Sequence, residues 1–348
     1  MQYNEHPPIV DPVITYSTQG ARPGRARILF AAFFLLYGAS GVLVQARSNP
    51  GRETFDTHTD YYHTLISLRI IDFADRLDRF FADDRILEET DETLIRITPS
   101  INVTERRGST VRLSVSGRLA LPYMEERWQI FVDRIGAGRD IREEFSETPD
   151  TTEDDKSLFA GVRYLARETR RSRLDLDGGL RWRRGPNPFA RIRGRRYIHL
   201  DPWLMRLTQT FFWFEHRGFG MTPAVDFDRR LLEHIFFRST SSGTWAEDSQ
   251  GVDIRQQFSF VHRLSERRAV GFSAHAYGHT HPSLVMDEYG LIWRYRQRIH
   301  RDWLFLEIAP GTLFPRDRDY ELTPTVTVKL EAFFGDIRQI GADSPSRR

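Results

Sequence analysis

The chain has 348 residues, with 50 basic and 48 acidic side chains and a formal net charge of +2. It contains no cysteine, which excludes a disulfide scaffold, a thiolate zinc site and a cysteine nucleophile, and which fits a chain that crosses an oxidising compartment unfolded. Lys156 and Lys329 are its two lysines, so nearly all of its positive charge is arginine, and aromatic residues make up 13% of it.

Residues 1–46 read as an export signal with an extended, proline-rich start. Arg22, Arg25 and Arg27 form a basic region, an apolar run follows from Ile28 to Val44, and Val44 and Ala46 are the small residues at −3 and −1 of a cleavage site. An uncleaved anchor helix is the alternative. Residues 47–90 read as a periplasmic segment with an amphipathic helix over 60–82. Leu65, Leu68, Ile71, Leu77 and Phe81 recur at helical spacing among Asp72, Asp75, Arg76, Asp78 and Arg79. The expected place for this helix is the periplasmic rim of a barrel, open to a partner protein of the envelope. A position inside the lumen is the alternative. It is disfavoured because the apolar face needs an apolar partner and the lumen reads as polar.

From 91 to 335 the period changes from 3.6 to 2. In 325–334, Val326, Val328, Leu330, Ala332 and Phe334 share one face, and Thr325, Thr327, Lys329, Glu331 and Phe333 share the other. In 111–121 the apolar set is Val111, Leu113, Val115, Leu119 and Leu121, against Arg112, Ser114, Ser116 and Arg118. In 173–183 it is Leu174, Leu176, Leu180 and Trp182, against Arg173, Asp175, Asp177, Arg181 and Arg183. In 289–299 it is Tyr289, Leu291, Trp293, Tyr295 and Ile299, against Arg294, Arg296 and Arg298. Further segments begin near Trp128, Leu158, Phe189, Trp203, Phe219, Leu231, Ile254, Val270 and Trp303.

A soluble β-sandwich also alternates. Three features favour an all-β, antiparallel transmembrane barrel of about 12 to 14 strands instead. Arginines occupy successive alternate positions, as a wet lumen allows. The segments run about ten residues, enough for a tilted strand to cross a bilayer, where globular strands average about five or six. The chain also carries an export signal. A mean hydropathy of −0.49 is no objection, because alternate residues alone face lipid. The strand number turns on whether 128–135 and 219–227 are both full strands. Short turns at 105–109, 168–172, 265–268 and 300–302 and longer links such as 138–156 divide the segments, and a polar tail follows over 336–348.

The segment VTVKLEAFFG, with Leu330, Ala332 and Phe334 at alternate positions, resembles the C-terminal strand of Gram-negative outer-membrane barrels. That resemblance implies recognition by the barrel-insertion machinery, although the tail from Gly335 departs from the pattern. Tyr295-Arg296-Gln297-Arg298, Arg301-Asp302-Trp303-Leu304 and Pro310-Gly311 resemble a group of proteobacterial outer-membrane proteins without an assigned activity, over the C-terminal two thirds. This second resemblance implies the barrel and no activity.

The expected lumen lining is Arg181, Arg183, Arg191, Arg193, Arg195, Arg294, Arg296 and Arg298, with Glu307, Glu331, His275 and His279; Asp175, Asp177 and Asp253 fall on the same side. Either these charges pair with each other in a closed barrel, or they form an anion-selective passage. Closure is the expected outcome, because long arginines leave little free space in a narrow barrel. His275, Tyr277, His279 and His281 share a face at roughly 6.5 to 7 Å per step, which is wide for three ligands of one metal. A hydrolase with His275 or His279 as base and Ser273 or Ser283 as nucleophile is a weaker alternative, since a triad is recognised by geometry. The expectation is therefore an outer-membrane protein, either a narrow or plugged pore for small anionic solutes or a closed barrel, with no catalytic residue, metal or cofactor and no nucleic-acid partner. Its surroundings would be outer-membrane lipid and lipopolysaccharide. A non-conducting docking component of an envelope complex is the other reading.

Overall fold

A computed structural model describes residues 93–106, 108–121, 127–135, 157–169, 171–182, 185–301 and 303–335. The signal over 1–46, the segment 47–90 with its helix, the link 138–156, Arg183 and the tail 336–348 lie outside the described residues.

Among the described residues there are fourteen antiparallel strands: β1 (Leu94–Thr104), β2 (Gly108–Ala120), β3 (Trp128–Ile135), β4 (Ser157–Thr169), β5 (Ser172–Trp182), β6 (Pro186–Leu200), β7 (Trp203–Phe214), β8 (Gly218–Leu232), β9 (Ile235–Ala246), β10 (Val252–Ser265), β11 (Arg268–His279), β12 (Val285–His300), β13 (Leu304–Pro315) and β14 (Thr323–Gly335). Each pairs with its neighbours in sequence, and β1 pairs with β14 to close the barrel. The closing register runs from Leu94↔Gly335 to Thr104↔Thr325. Closure removes both sheet edges, the condition for a sheet in hydrocarbon.

Alternation sets the polarity of the wall. In β14, Thr323, Thr325, Thr327, Lys329, Glu331 and Phe333 are buried, while Pro324, Val326, Val328, Leu330 and Phe334 are exposed. The same inversion holds around the barrel. Ile95, Ile101, Leu113, Leu176, Ile192, Trp293 and Ile308 stand exposed on the outside. Arginine, aspartate, glutamate and threonine dominate the buried side chains. A soluble sandwich has the opposite polarity, so this wall is built to face lipid.

The two segments that left the strand number open are both strands, β3 and β8. Leu231 does not begin a strand: β8 runs on to Leu232 and turns at Glu233 and His234 into β9. At the end where β1 begins and β14 finishes, four of the six connections are two residues long. The other end carries the link between Ile135 and Ser157 and five- to seven-residue connections before β10, β12 and β14. Short turns mark the periplasmic end of such barrels, so the second end is the outer one. The short Glu105 turn belongs to this outer end, so turn length alone does not divide the two sides.

Candidate functional site in the barrel interior

Strands lie about 4.8 Å apart, so inward residues in register on neighbouring strands bring their Cβ atoms within roughly 5 Å. Where one is arginine and the other a carboxylate, an ion pair along the wall results. Arg163 on β4, Asp177 on β5 and Arg191 on β6 are in register. Arg163 donates to both oxygens of Asp177 at 2.7 and 3.0 Å, and Arg191 donates to Oδ2 at 2.9 and 2.6 Å. One turn of the pleat away, Asp175 accepts from Arg173 at 3.0 Å and from Arg195 at 3.1 Å.

Further round, Arg206 on β7 donates to Asp226 on β8 at 2.9 Å, and the Thr240 hydroxyl donates to the other oxygen at 2.6 Å. Arg238 holds Asp228 by two bonds of 2.7 and 2.8 Å. On the far arc Arg296 of β12 donates to Glu307 of β13 at 3.1 Å and reaches past that strand to Glu331 of β14. Its guanidinium also lies 4.7 Å from the Phe305 ring centroid. Arg163, Arg193, Arg195, Arg296 and Lys329 are each at most 1% exposed.

The expected lumen residues fall as follows. Arg191, Arg193, Arg195, Arg294, Arg296, Arg298, Glu307, Glu331 and His275 are on the inward face, and Arg294 and Arg298 are half-buried. Arg181 is half-buried near the outer end, on the same face of β5 as Asp175 and Asp177, over the inward rings of Phe159 and Phe214 at 5.4 and 5.7 Å. His275 is buried, stacks on Tyr277 at 4.7 Å and has Nε2 3.6 Å from Glu288. Gly290 lies opposite it in register, and a Cβ there would collide with the imidazole. His279 instead meets Asp287 at 2.8 Å near the outer end, and His281 lies beyond the end of β11. The four-residue row is therefore divided. The Ser273 hydroxyl is buried without a hydrogen bond, so it is not coupled to a base. No group of three metal-ligating side chains occurs among the described residues.

Two apolar patches inside the lumen were not evident from periodicity. Phe131, Phe189, Phe212, Phe214 and Ala246 form one, with Phe159 packed on it. Gly161 leaves room for the Phe131 ring, and Gly179, opposite it in register, lies against the backbone of Ala160 and Gly161. Ile292 and Ala309, with Leu313, form the other. In β7 the run Phe211-Phe212-Trp213-Phe214 hides the alternation, because its inward Phe212 and Phe214 are as apolar as their outward neighbours.

A closed, even-stranded antiparallel barrel with an apolar outside and a charged inside has one natural solvent. The protein is a closed, fourteen-stranded β-barrel of the membrane-spanning type. No protein-family model matches the chain, and no curated protein matches it. Among solved structures, a loop-deletion mutant of OmpT, an outer-membrane protein of Vibrio cholerae, is similar at 8% identity, covering 70% of this chain and 98% of that one with a TM-score of 0.45. A bacterial polysaccharide outer-membrane secretin is similar at 13% identity, covering 70% and 99% with a TM-score of 0.42. The outer-membrane channel DcaP of Acinetobacter baumannii is similar at 8% identity, covering 70% and 96% with a TM-score of 0.41. At these scores the likenesses carry nothing about solute or mechanism.

Proposed function

We propose that this barrel conducts little, and that whatever residual passage it has favours small anions. The observation that supports this reading is the pairing of Arg191, Arg195 and Arg296 with wall carboxylates, together with the withdrawal of Arg193, Arg195 and Arg296 from water, each at most 1% exposed. Paired charges along a sealed wall offer no hydrated path. The buried described residues nonetheless include ten cationic and seven anionic side chains, leaving histidine aside. Such an excess favours anions over cations. On this reading the chain is exported by its signal, cut after Ala46, and inserted by the barrel machinery acting on β14. Arginines at its outer rim contact lipopolysaccharide.

Purified full-length protein in planar bilayers tests the proposal. Rare, small openings with an anion-sided reversal potential in a salt gradient are expected. Large steady channels, or cation selectivity, would overturn it. Cleavage is checked by the mass of the mature N-terminus, which should begin at Arg47.

A further inference from the structure

We infer that the lipid-facing side of β9 and β10 is an interface with a second copy of this chain, packed about a twofold axis. The inference goes beyond the conduction reading and does not depend on it. Three observations carry it.

The first is polarity on the lipid side. Alternation puts Phe237, Ser239, Ser241, Gly243 and Trp245 on the outward face of β9, against the buried Phe236 and Arg238 on the inward one. Ser239 and Ser241 flank the middle of that strand, so they stand at the level of the hydrocarbon. On β10 the outward Gln256 is in register with Ser241, and Phe258 with Ser239. Elsewhere the outward belt is apolar at this height: β1 presents Ile97, Pro99 and Ile101, and β14 presents Val326, Val328 and Leu330. Acyl chains return no hydrogen bond to a hydroxyl or an amide, and such a group in hydrocarbon is costly without a partner. Lipid headgroups lie beyond Trp245, away from the middle of the strand. Between membrane helices, serine and glutamine bond across to the neighbouring segment.

The second observation is what the patch still offers. Ser241 donates to Gln256 Oε1, and Gln256 Nε2 donates to Ser239 Oγ at 3.1 Å. Within this triad Ser239 is an acceptor, which leaves its own proton to give. Gln256 Oε1 and Ser241 Oγ retain lone pairs. The face therefore carries a donor and acceptors together. It carries no charge, since no outward side chain between Phe237 and Trp245 or between Ile254 and Phe260 is ionisable. A neutral surface with both kinds of group is complementary to its own copy after a twofold rotation, as an isologous interface requires.

The third is shape. Gly243 on β9 and Ala274 and Ala276 on β11 are small, and Ala276 is in register with Gln256, so a second wall can approach closely. The β8–β9 pairing breaks off at Met221↔Trp245 and resumes at Ala224↔Ser242. Pro223 lies in that gap and has no N–H to give, so the ladder is interrupted beside the same serines. Phe237 meets Phe260 at 4.8 Å and Phe258 at 6.4 Å along one border of the patch. Aromatic side chains of this kind are enriched where proteins meet.

The chain lacks cysteine, so an introduced thiol reports without background. Full-length Ser241→Cys and, as control, the outward Val328→Cys on β14 are each reconstituted in phosphatidylcholine vesicles at high lipid excess and treated with a short bis-maleimide. Ser241→Cys should give a product of twice the chain mass at least tenfold more abundant than the control does. Equal yields, or no such product from Ser241→Cys, would overturn the inference. In native membranes, a Ser241→Cys product made only with a chain of another mass would overturn it too. Adding Ser239→Leu and Gln256→Leu to Ser241→Cys should cut the product at least tenfold. These changes make the lipid face more apolar, so the barrel should stay folded, as heat-modifiable mobility on gels would show. An undiminished product from that folded variant counts against the interface. Should Ser241→Cys fail to insert, Ala276→Cys is measured against the same control with the same two outcomes.

Discussion

The two arcs of the interior wall solve the same problem with opposite stoichiometry. On β4–β6 each carboxylate serves two arginines: Asp177 lies between Arg163 and Arg191, and Asp175 between Arg173 and Arg195. On β12–β14 one arginine serves two carboxylates, Arg296 with Glu307 and Glu331. The excess of buried positive charge lies on this first arc, where Arg193 is also buried, and on β1 and β2, which carry Arg96 and Arg118. The second arc holds Glu288, Glu307 and Glu331 against Arg296 and Lys329 among its buried charges.

The sharpest way to break this comparison is to remove a shared hub. Asp177→Ala leaves the buried Arg163 and the half-buried Arg191 without the carboxylate they share, and arginine cannot give up its charge. A loss of about 3 to 5 kcal/mol is expected, as for other broken buried pairs. Urea unfolding of the refolded barrel in detergent, read by heat-modifiable mobility on gels, would measure it. If Asp177→Ala were neutral, the arc would not be sealed.

Next in size is the contrast between the two faces of one strand. Val328→Arg places a charge in lipid and should cost about 2 to 4 kcal/mol near the midplane. The same unfolding measurement on vesicle-inserted protein checks this. An effect below that of a conservative interior change would mean that the register is wrong.

Arg296→Met should destabilise by about 3 kcal/mol, since it removes the guanidinium that Glu307 and Glu331 share. Adding Glu331→Gln should recover part of the loss, because one of the two facing charges goes. That coupling is read from a double-mutant cycle. Additive effects would show that the two carboxylates do not share the arginine.

The smallest effect is expected for Thr327→Val. Its hydroxyl accepts a bond from Asn102 at 2.7 Å, so about 1 kcal/mol should be lost. A penalty as large as that of Val328→Arg would argue against this inward assignment.

Much of the wall was legible before any coordinates. Leu176 faces out and Asp177 in because side chains alternate along every strand, and no tertiary information is needed for that. The arginine rows on β6 and β12 were visible for the same reason. The aromatic patch was not, because in β7 both faces are apolar. Asp226 and Asp228 each hold one further arginine, Arg206 and Arg238, and their alternate spacing in Ala224-Val225-Asp226-Phe227-Asp228 was the signal available.

Facing, then, is a local property, settled residue by residue along the chain by the pleat. Pairing is not local. Asn102 bonds to Thr327 from 225 residues away, and Arg296 reaches Glu331 across an intervening strand. Such meetings depend on the register of each hairpin and on the closure of β1 against β14, where a slip of one residue would turn every inward charge into the lipid. By itself the sequence determined a barrel wall with an arginine-rich inner face. Only the closed tertiary structure decided that Arg191, Arg195 and Arg296 end on carboxylates, because a strand carries its own periodicity but not the identity of its neighbour's residue at the same height.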